Sequence, residues 1–405
     1  MDDDIAISIS RYFEPLPDPR IDRTRRHKLA DIVTITICAV IAGADDWEAV
    51  ASFGRANEEW FGTFLELPGG IPAHDTFWRV FRALDSTSFE LCFSEWTSAL
   101  RRHLASVASE ANPGEASVPE VIAIDGKQVR RSHDRCMGSS AIHLVSAWAT
   151  QSGLVLGQVK LDAKESEIVA VPELLQQLHV AGVIVTLDAL NCQVRTAQTI
   201  VDKRGDYLLA LKENQPALHE EVALLFDDLA ASGFSAYEHS FSQTVTSWHG
   251  RIETRRCWVI SDKTWIDRLP AAQRWPKLTA LIKIESQRRI KNAAAATAND
   301  PAAHVSRETR YYIASADLDA ATVIAITRAH WEIENSLHWI LDMAFREDDS
   351  RVRKDNGAEN FAILRRIALN LIKQEKSVKL GVKNKRLKAG WDHNYLLLLL
   401  RNLTM

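Results

Sequence analysis

Cysteine is scarce and scattered in this sequence. The five cysteines (Cys38, Cys92, Cys136, Cys192 and Cys257) include no CxxC pair, which argues against both a zinc ribbon and a disulfide framework. Charge of one sign is missing too. Forty-nine Lys and Arg stand against 53 Asp and Glu, a net charge of −4, so any nucleic-acid contact must come from local patches. No stretch approaches the roughly 18 uninterrupted apolar residues of a spanning helix, and no membrane partner is expected. The start, MDDDIAIS, lacks a basic region followed by an apolar one, so no secretory signal is read and a cytoplasmic location is expected. What remains is a chain of 405 residues, 46% hydrophobic and 25% charged, long enough for two or three domains.

Residues 1–20 read as loop and lead into a basic cluster at Arg20, Arg23, Arg25, Arg26 and Lys28. LADIVTITICAVIAGA is longer than the usual strand, which favours a buried helix despite its β-branched content. DDWEAVASFGRANEEWFGTFL is amphipathic, with Trp47, Val50, Phe53, Trp60 and Phe64 as core candidates. Asp75 is expected to cap the helix in HDTFWRVFRALD, and another helix runs from about Ser88 to Val107. Residues 1–107 are therefore expected to be an all-helical domain, followed by a proline-punctuated linker over 108–120.

From Val121 the pattern is strand, hairpin, helix, strand, helix, strand. This predicts an α/β domain with a mixed sheet over 121–212, its hairpin turning at Gln151-Ser152-Gly153. Residues 213–320 read as a β-rich insertion with strands in ETRRCWVI, KLTALIKIES and RETRYYIAS, and with KNAAAATANDPAA as a mobile loop. From 321 to 405 the chain reads as helical.

Three acids stand where chemistry would want them. Asp125 and Asp188 each close a hydrophobic strand, VIAID and VIVTLD. An aspartate there is carried rigidly yet emerges at the sheet edge. Two such carboxylates side by side raise each other's pKa unless a divalent cation lies between them, and Mg²⁺ suits oxygen donors. The third is in TRAHWEIENSLHWILDMAF. On a helical wheel Ile333, Leu337, Ile340, Leu341 and Ala344 define a buried face about 100° wide; Glu334 lies about 75° from its centre and Glu332 about 125° away on the other side. Glu334 is the expected ligand, with His330 and His338 four residues to either side, placed to steady it or to contact phosphate. The plain alternatives are a turn-forming or helix-capping role for each aspartate and an interface role for the histidines.

Several longer motifs occur in a fixed order: DPRIDRTRRHKLADIVTITICAVIAGADDWEAVASFG, GIPAHDTFWRVF, AIDGKQVRRS, IVTLDALNCQ, GDYLLALKENQ, HGRIETR, HWEIENSLHWILDMAFREDDSRVR and NFAILRRIALNLIK. Through them the chain resembles, nearly end to end, the DDE insertion-sequence transposases of the ISAs type, the H-repeat-associated family. That family lies within the larger group with a YREK-like signature. The resemblance implies a ribonuclease-H-like core whose two Asp and one Glu bind two Mg²⁺ ions, with Mn²⁺ as a substitute. Carried over, these are Asp125 in AIDGK, Asp188 in TLDA and Glu334 in HWEIEN. The Tyr, Arg and Lys places of the broader signature fall on Thr327, His330 and Leu341, a departure that leaves phosphate steering unassigned. The 146 positions from Asp188 to Glu334 fit the insertion such enzymes carry.

The implied partner is double-stranded DNA, at transposon ends and target, bound by a homodimer in the synaptic complex of a bacterial cell. The protein would then be nucleoid-associated when on DNA. Between Arg351 and Lys388 twelve Lys or Arg face three acids; Arg351, Arg353, Lys383, Lys385, Arg386 and Lys388 are the expected phosphate contacts. Lys127, Arg130 and Arg131 follow the first aspartate, and Lys212 follows the strand DYLLAL. Trp248 is a candidate for stacking on an unpaired base, and the helix near 75–84 for entering a groove, against a plain bundle. Cys192 reads as a buried small residue. Two other functions fit the same sequence: a catalytically silent DNA-binding relative, and a metal-dependent nuclease without strand transfer.

Overall fold

A computed structural model describes residues 11–111, 120–133, 140–161, 165–234, 238–248, 250–290 and 305–401. In chain order the principal elements are α1 (Leu29–Ile41), α2 (Trp47–Ala56), α3 (His74–Ala83), α4 (Ser86–Ala111), β1 (Val121–Gln128), β2 (His143–Ala149), β3 (Leu154–Leu161), α5 (Glu167–Gln177), β4 (Ile184–Leu187), α6 (Val194–Asp202), β5 (Asp206–Leu211) and α7 (Pro216–Ala231). Then come β6 (Ser240–Trp248), β7 (Arg251–Ile260), β8 (Ala280–Ile290), β9 (Val305–Ala314), α8 (Ala320–His330), a π-helical segment (Ile333–His338), α9 (Trp339–Phe345), α10 (Gly357–Gln374), α11 (Val382–Trp391) and α12 (His393–Arg401). No described helix is long and apolar enough to cross a membrane.

The chain divides into two compact units. The first gathers Met1–Val118, Asp125–Leu178 and Glu332–Met405; the second gathers Pro119–Ile124 and His179–Trp331. The N-terminal helices therefore do not form a unit of their own, as the expected boundary near 108–120 had it. The reason is packing. Trp47 stacks on Phe81 at 5.0 Å and meets Phe361 of α10 edge-on at 4.8 Å. Asn360 of α10 donates to the carbonyls of Phe81 and Leu84 at 2.7 and 2.9 Å, and Thr97 of α4 donates to Leu156 O of β3 at 2.9 Å. Residues 112–119 of the expected linker and 291–304, with its expected mobile loop, lie outside the described residues.

In the first unit, α1 is helical because it is buried. Every residue from Asp31 to Ile41 is buried, and a helix apolar on all sides belongs inside a core. Thr36 donates back to Ile32 O at 2.7 Å, so burial leaves its hydroxyl satisfied. Asp75 does not cap α3; the N-cap is Ala73, with no side-chain bond, and Asp75 lies in the first turn, where it favours the helix dipole instead. β2 and β3 form the expected hairpin, with Gly153 at φ +65° in the turn.

In the second unit the first residues of β1 lie parallel to β4, and β4 parallel to β5, while β5–β9–β8–β7–β6 continue antiparallel. The result is an α/β core with a large mixed sheet, into which the insertion's strands are zipped directly through β9. α8 covers one face. Its Val323, Ile324 and Ile326 pack on Ile184, Leu208, Val259, Ile282 and Ala314.

Candidate functional site

In the second unit Asp188 stands one residue past β4, half-buried. Its Oδ1 accepts from the backbone N and Nδ2 of Asn191 at 3.1 and 3.0 Å, an Asx-type turn that fixes the carboxylate. The loop is braced from the segment after β5. Asn214 Nδ2 donates to Ala189 O at 2.5 Å, and Gln215 Nε2 donates to Cys192 O at 3.0 Å and Gln193 Oε1 at 3.2 Å. Beside Asp188 opens a cavity of about 740 Å³ whose walls include Lys212, Arg310, Tyr312, His330 and Trp331. Arg310 is held by Glu308 at 2.7 Å and lies over the Trp331 ring at 5.1 Å. Lys212 is exposed at the end of β5.

His330 shares a 2.9 Å hydrogen bond between its Nδ1 and Thr186 Oγ1. Burial pushes its pKa down to about 4 against the pull of Asp188, with Arg310 adding to the shift. The ring is neutral near pH 7, so it is no cationic phosphate contact. Cys192 is fully buried and burial pushes its thiol far up, as expected of a packing residue. Trp248 ends β6 opposite Arg251.

In the first unit Asp125 lies in the second half of β1. Gly126 beside it leaves room for Glu167 Oε1 and His143 Nε2, which a Cβ there would push aside. His338 Nδ1 stands 3.6 Å from Asp125 Oδ2. Burial, then Arg366 and Lys127, hold His338 down at about pKa 4 against Glu347, so it too is neutral and turned inward. Glu334 is exposed in the first turn of the π-helical segment, a local widening frequent at functional sites.

Lys127, expected on DNA, is enclosed instead. Its Nζ contacts Asp342 at 2.6 Å, Asp348 at 3.2 Å and Glu347 at 3.4 Å. Burial alone would lower its pKa, but Glu347, Asp342 and Asp348 outweigh it and raise it. Glu347 is fully buried and bonded to the fully buried Arg366 at 2.9 Å. Of the basic tract, Lys385 and Arg386 are likewise buried. Lys385 pairs with Glu375 at 3.1 Å; Arg386 donates to Val40 O at 2.8 Å and to Ala344 O, and lies over Phe345. Lys385 thus ties α11 to the end of α10, and Arg386 ties it to α1 and α9, which corrects their placement on a DNA surface. Lys388 pairs with Asp392 at 2.8 Å. Arg351 and Lys383 are exposed, Arg130 and Arg131 reach Asp348 and Asp349 from exposed positions, and Arg353 donates to Arg131 O.

Carboxylate oxygens are the right donors for a hard divalent cation. Among the described residues, however, no three His, Cys, Asp or Glu side chains gather where one ion would be held. The residues that sequence reading passed over are Asn191, Asn214, Gln215, Arg310, Asp342, Glu347 and Arg366. Only ALNCQ and KENQ, polar runs directly after strands, carried a local signal for the first three.

The transposase DDE domain family model matches residues 79–371, and a DDE_Tnp_1-associated family matches residues 10–97. "Putative transposase YncI" of Escherichia coli O157:H7 is 38% identical over 391 residues, covering 96% of this chain and 93% of that protein. "H repeat-associated putative transposase YhhI" of Escherichia coli K12 is 36% identical over 388 residues, 96% of each chain. "Inactive transposase YbfQ" of the same strain is 46% identical over 54 residues, 13% of this chain. The solved piggyBac transposase synaptic complex with hairpin DNA overlaps at TM-score 0.38 and 11% identity, covering 100% of this chain and 78% of that one, a likeness too slight to build on.

Proposed function

The chain belongs to the DDE transposase family, and from that premise we propose that it cuts the ends of its own insertion sequence and joins them to target DNA. The proposed core is ribonuclease-H-like, and the proposed catalytic carboxylates are Asp125, Asp188 and Glu334, whose oxygens would hold two Mg²⁺ ions or Mn²⁺ in their place. Such ions, when bound, stabilise charge on the phosphate and lower the pKa of an attacking oxygen. Joining two ends in one complex calls for two copies, so a homodimer on paired ends is part of the same proposal.

The observation that carries this reading is Asp188, fixed by Asn191 at the mouth of a cavity with Lys212 and Arg310 in its walls. Lys212, exposed in that wall, would neutralise a strand's phosphate, whereas Arg310 is already held by Glu308. The neutral His330 adds no positive charge beside Asp188 to compete with a cation. Arg130, Arg131, Arg351, Arg353 and Lys383 are the proposed duplex contacts.

The test uses labelled DNA bearing the element's own ends, with wild type and Asp188→Asn in Mg²⁺, Mn²⁺ or EDTA. Metal-dependent joined products, lost in the variant while DNA binding persists, are expected. Cleavage without joining would make the protein a nuclease, and binding without chemistry in either protein would make it a silent DNA-binding relative.

Lys127 gives a second expectation. Held by Asp342, Glu347 and Asp348, it ties the end of β1, and so Asp125, to α9 and the segment after it. Misplacing a reacting group by about 1 Å can cost about a hundredfold. Lys127→Met should lower product formation by that order while duplex affinity, read by anisotropy, stays within about twofold. An equal loss of affinity would return Lys127 to the DNA surface.

A further inference from the structure

The strand registers of the insertion place four rows of side chains on the face opposite the one that carries Thr186, Asp188 and the α8 contacts. Phe241, Trp258, Lys283 and Tyr311 form the first row; Gln243, Arg256, Glu285 and Thr309 the second. Val245, Thr254, Gln287 and Arg307 form the third, and Ser247, Ile252, Arg289 and Val305 the fourth. Neighbours within a row are about 4.8 Å apart and rows about 6.8 Å apart.

The two faces differ in charge. On the Asp188 side the arginines are neutralised: Glu253 holds Arg255 and Arg288 at 3.0 and 3.2 Å, and Glu308 holds Arg310 at 2.7 Å. On the opposite side Glu285 is the one acid in the four rows, paired with Lys283 at 3.0 Å. Arg256 is turned along the sheet by Gln243 at 2.9 Å, and Arg289 and Arg307 are exposed with no ion pair among the described residues.

The same face carries aromatic rings that a solvated sheet does not need. Phe241 is 51% exposed and Val245 61%. Phe241 leans on Trp258 at 5.2 Å, and Trp258 is stacked on Phe234 at 5.4 Å and 12°. Together with His239, Arg256, Lys283 and Glu285 these rings line an open cleft of about 470 Å³. A rigidly backed, exposed ring beside unpaired guanidinium groups is the chemistry that recognises unpaired nucleotides. The base stacks on the ring and the arginines take the phosphates.

We propose that this face of the insertion is a binding site for an unpaired stretch of DNA, with a base on Phe241 in the cleft and phosphates on Arg256, Arg307 and Arg289. That the strand is DNA rests on the transposase reading; that it is unpaired rests on the face itself. A duplex, its bases already stacked, offers nothing to Phe241.

The experiment is anisotropy with the full chain, a labelled oligothymidylate of about twelve nucleotides and a duplex of matching length. Phe241→Ala should weaken binding of the single strand about tenfold and leave duplex affinity within about twofold, while Phe241→Tyr retains binding. Arg256→Gln with Arg307→Gln should lower the salt slope for the single strand by about one to two. The same Phe241 dependence is expected in EDTA, where no cleavage occurs, so a protein without cleavage activity would sink the transposase reading and not this one. Three outcomes overturn the proposal: no binding of the oligomer by the wild type, no loss in Phe241→Ala, or equal loss on single strand and duplex. Melting curves of each variant separate these from unfolding.

Discussion

Glu334→Gln is expected to reduce strand cleavage and joining by at least about a thousandfold, because residues that act as one unit fail together. The amide keeps the size of the side chain and removes its charge. Two residues earlier, Glu332→Gln should leave both products within about threefold. The two glutamates differ in what they face. Glu332 acts on Lys373, whose ammonium is pushed down to about 8 by burial and by Lys376, with Glu332 opposing. Glu334 is exposed, with no ionic contact among the described residues, so its charge is uncommitted. A gel assay with end-labelled DNA decides between them; a dead Glu332→Gln and a working Glu334→Gln would reverse the assignment.

Arg366→Met is expected to destabilise the protein by about 3–5 kcal/mol, the usual cost of leaving one member of a buried pair unmatched. Arg366 and Glu347 are both fully buried, 2.9 Å apart, with Lys127 3.4 Å from the same carboxylate. Burial alone would raise the pKa of Glu347, but Arg366, Lys127 and Arg365 overcome it and hold it near 2, against 4.5 unfolded. Since the folded value is the lower one, the group stabilises the fold above about pH 4.5. That contribution, of order 3 kcal/mol, is lost as the pH falls from about 4.5 toward 2. Urea unfolding across that range should show the slope in wild type and a shallower one in Glu347→Gln, whose amide does not titrate. Equal slopes would mean that the carboxylate is not held by the pair.

Much of this was legible locally. VIAID and VIVTLD read as strands closing on aspartates because continuous apolar runs followed by turns have few alternatives; β4 does end just before Asp188, but β1 runs three residues beyond Asp125 to Gln128. LADIVTITICAVI read as helix by length. β6 was missed because SFSQTVTSW alternates Ser, Thr and Gln with a few apolar residues, so neither of its faces announces a core; only pairing along β7 makes it a strand. Asp75 looked like a cap because its type suits one, yet the chain enters the helix two residues earlier than that role requires.

The order of elements, the family and the place of Asp188 just past its strand were readable from the chain alone, since these depend on near neighbours and on motifs that stay contiguous; Asp125 instead lies within β1, which runs on to Gln128. Which charges are free depends on the folded packing. Lys127, Lys385 and Arg386 look identical in sequence to Arg351 and Lys383, and the difference lies in partners that are far off along the chain: Asp342 and Glu347 for the first, Val40 and Asp45 for the last. A cation's role is set by the dielectric and the counter-charges around its head group, and folding alone brings these together.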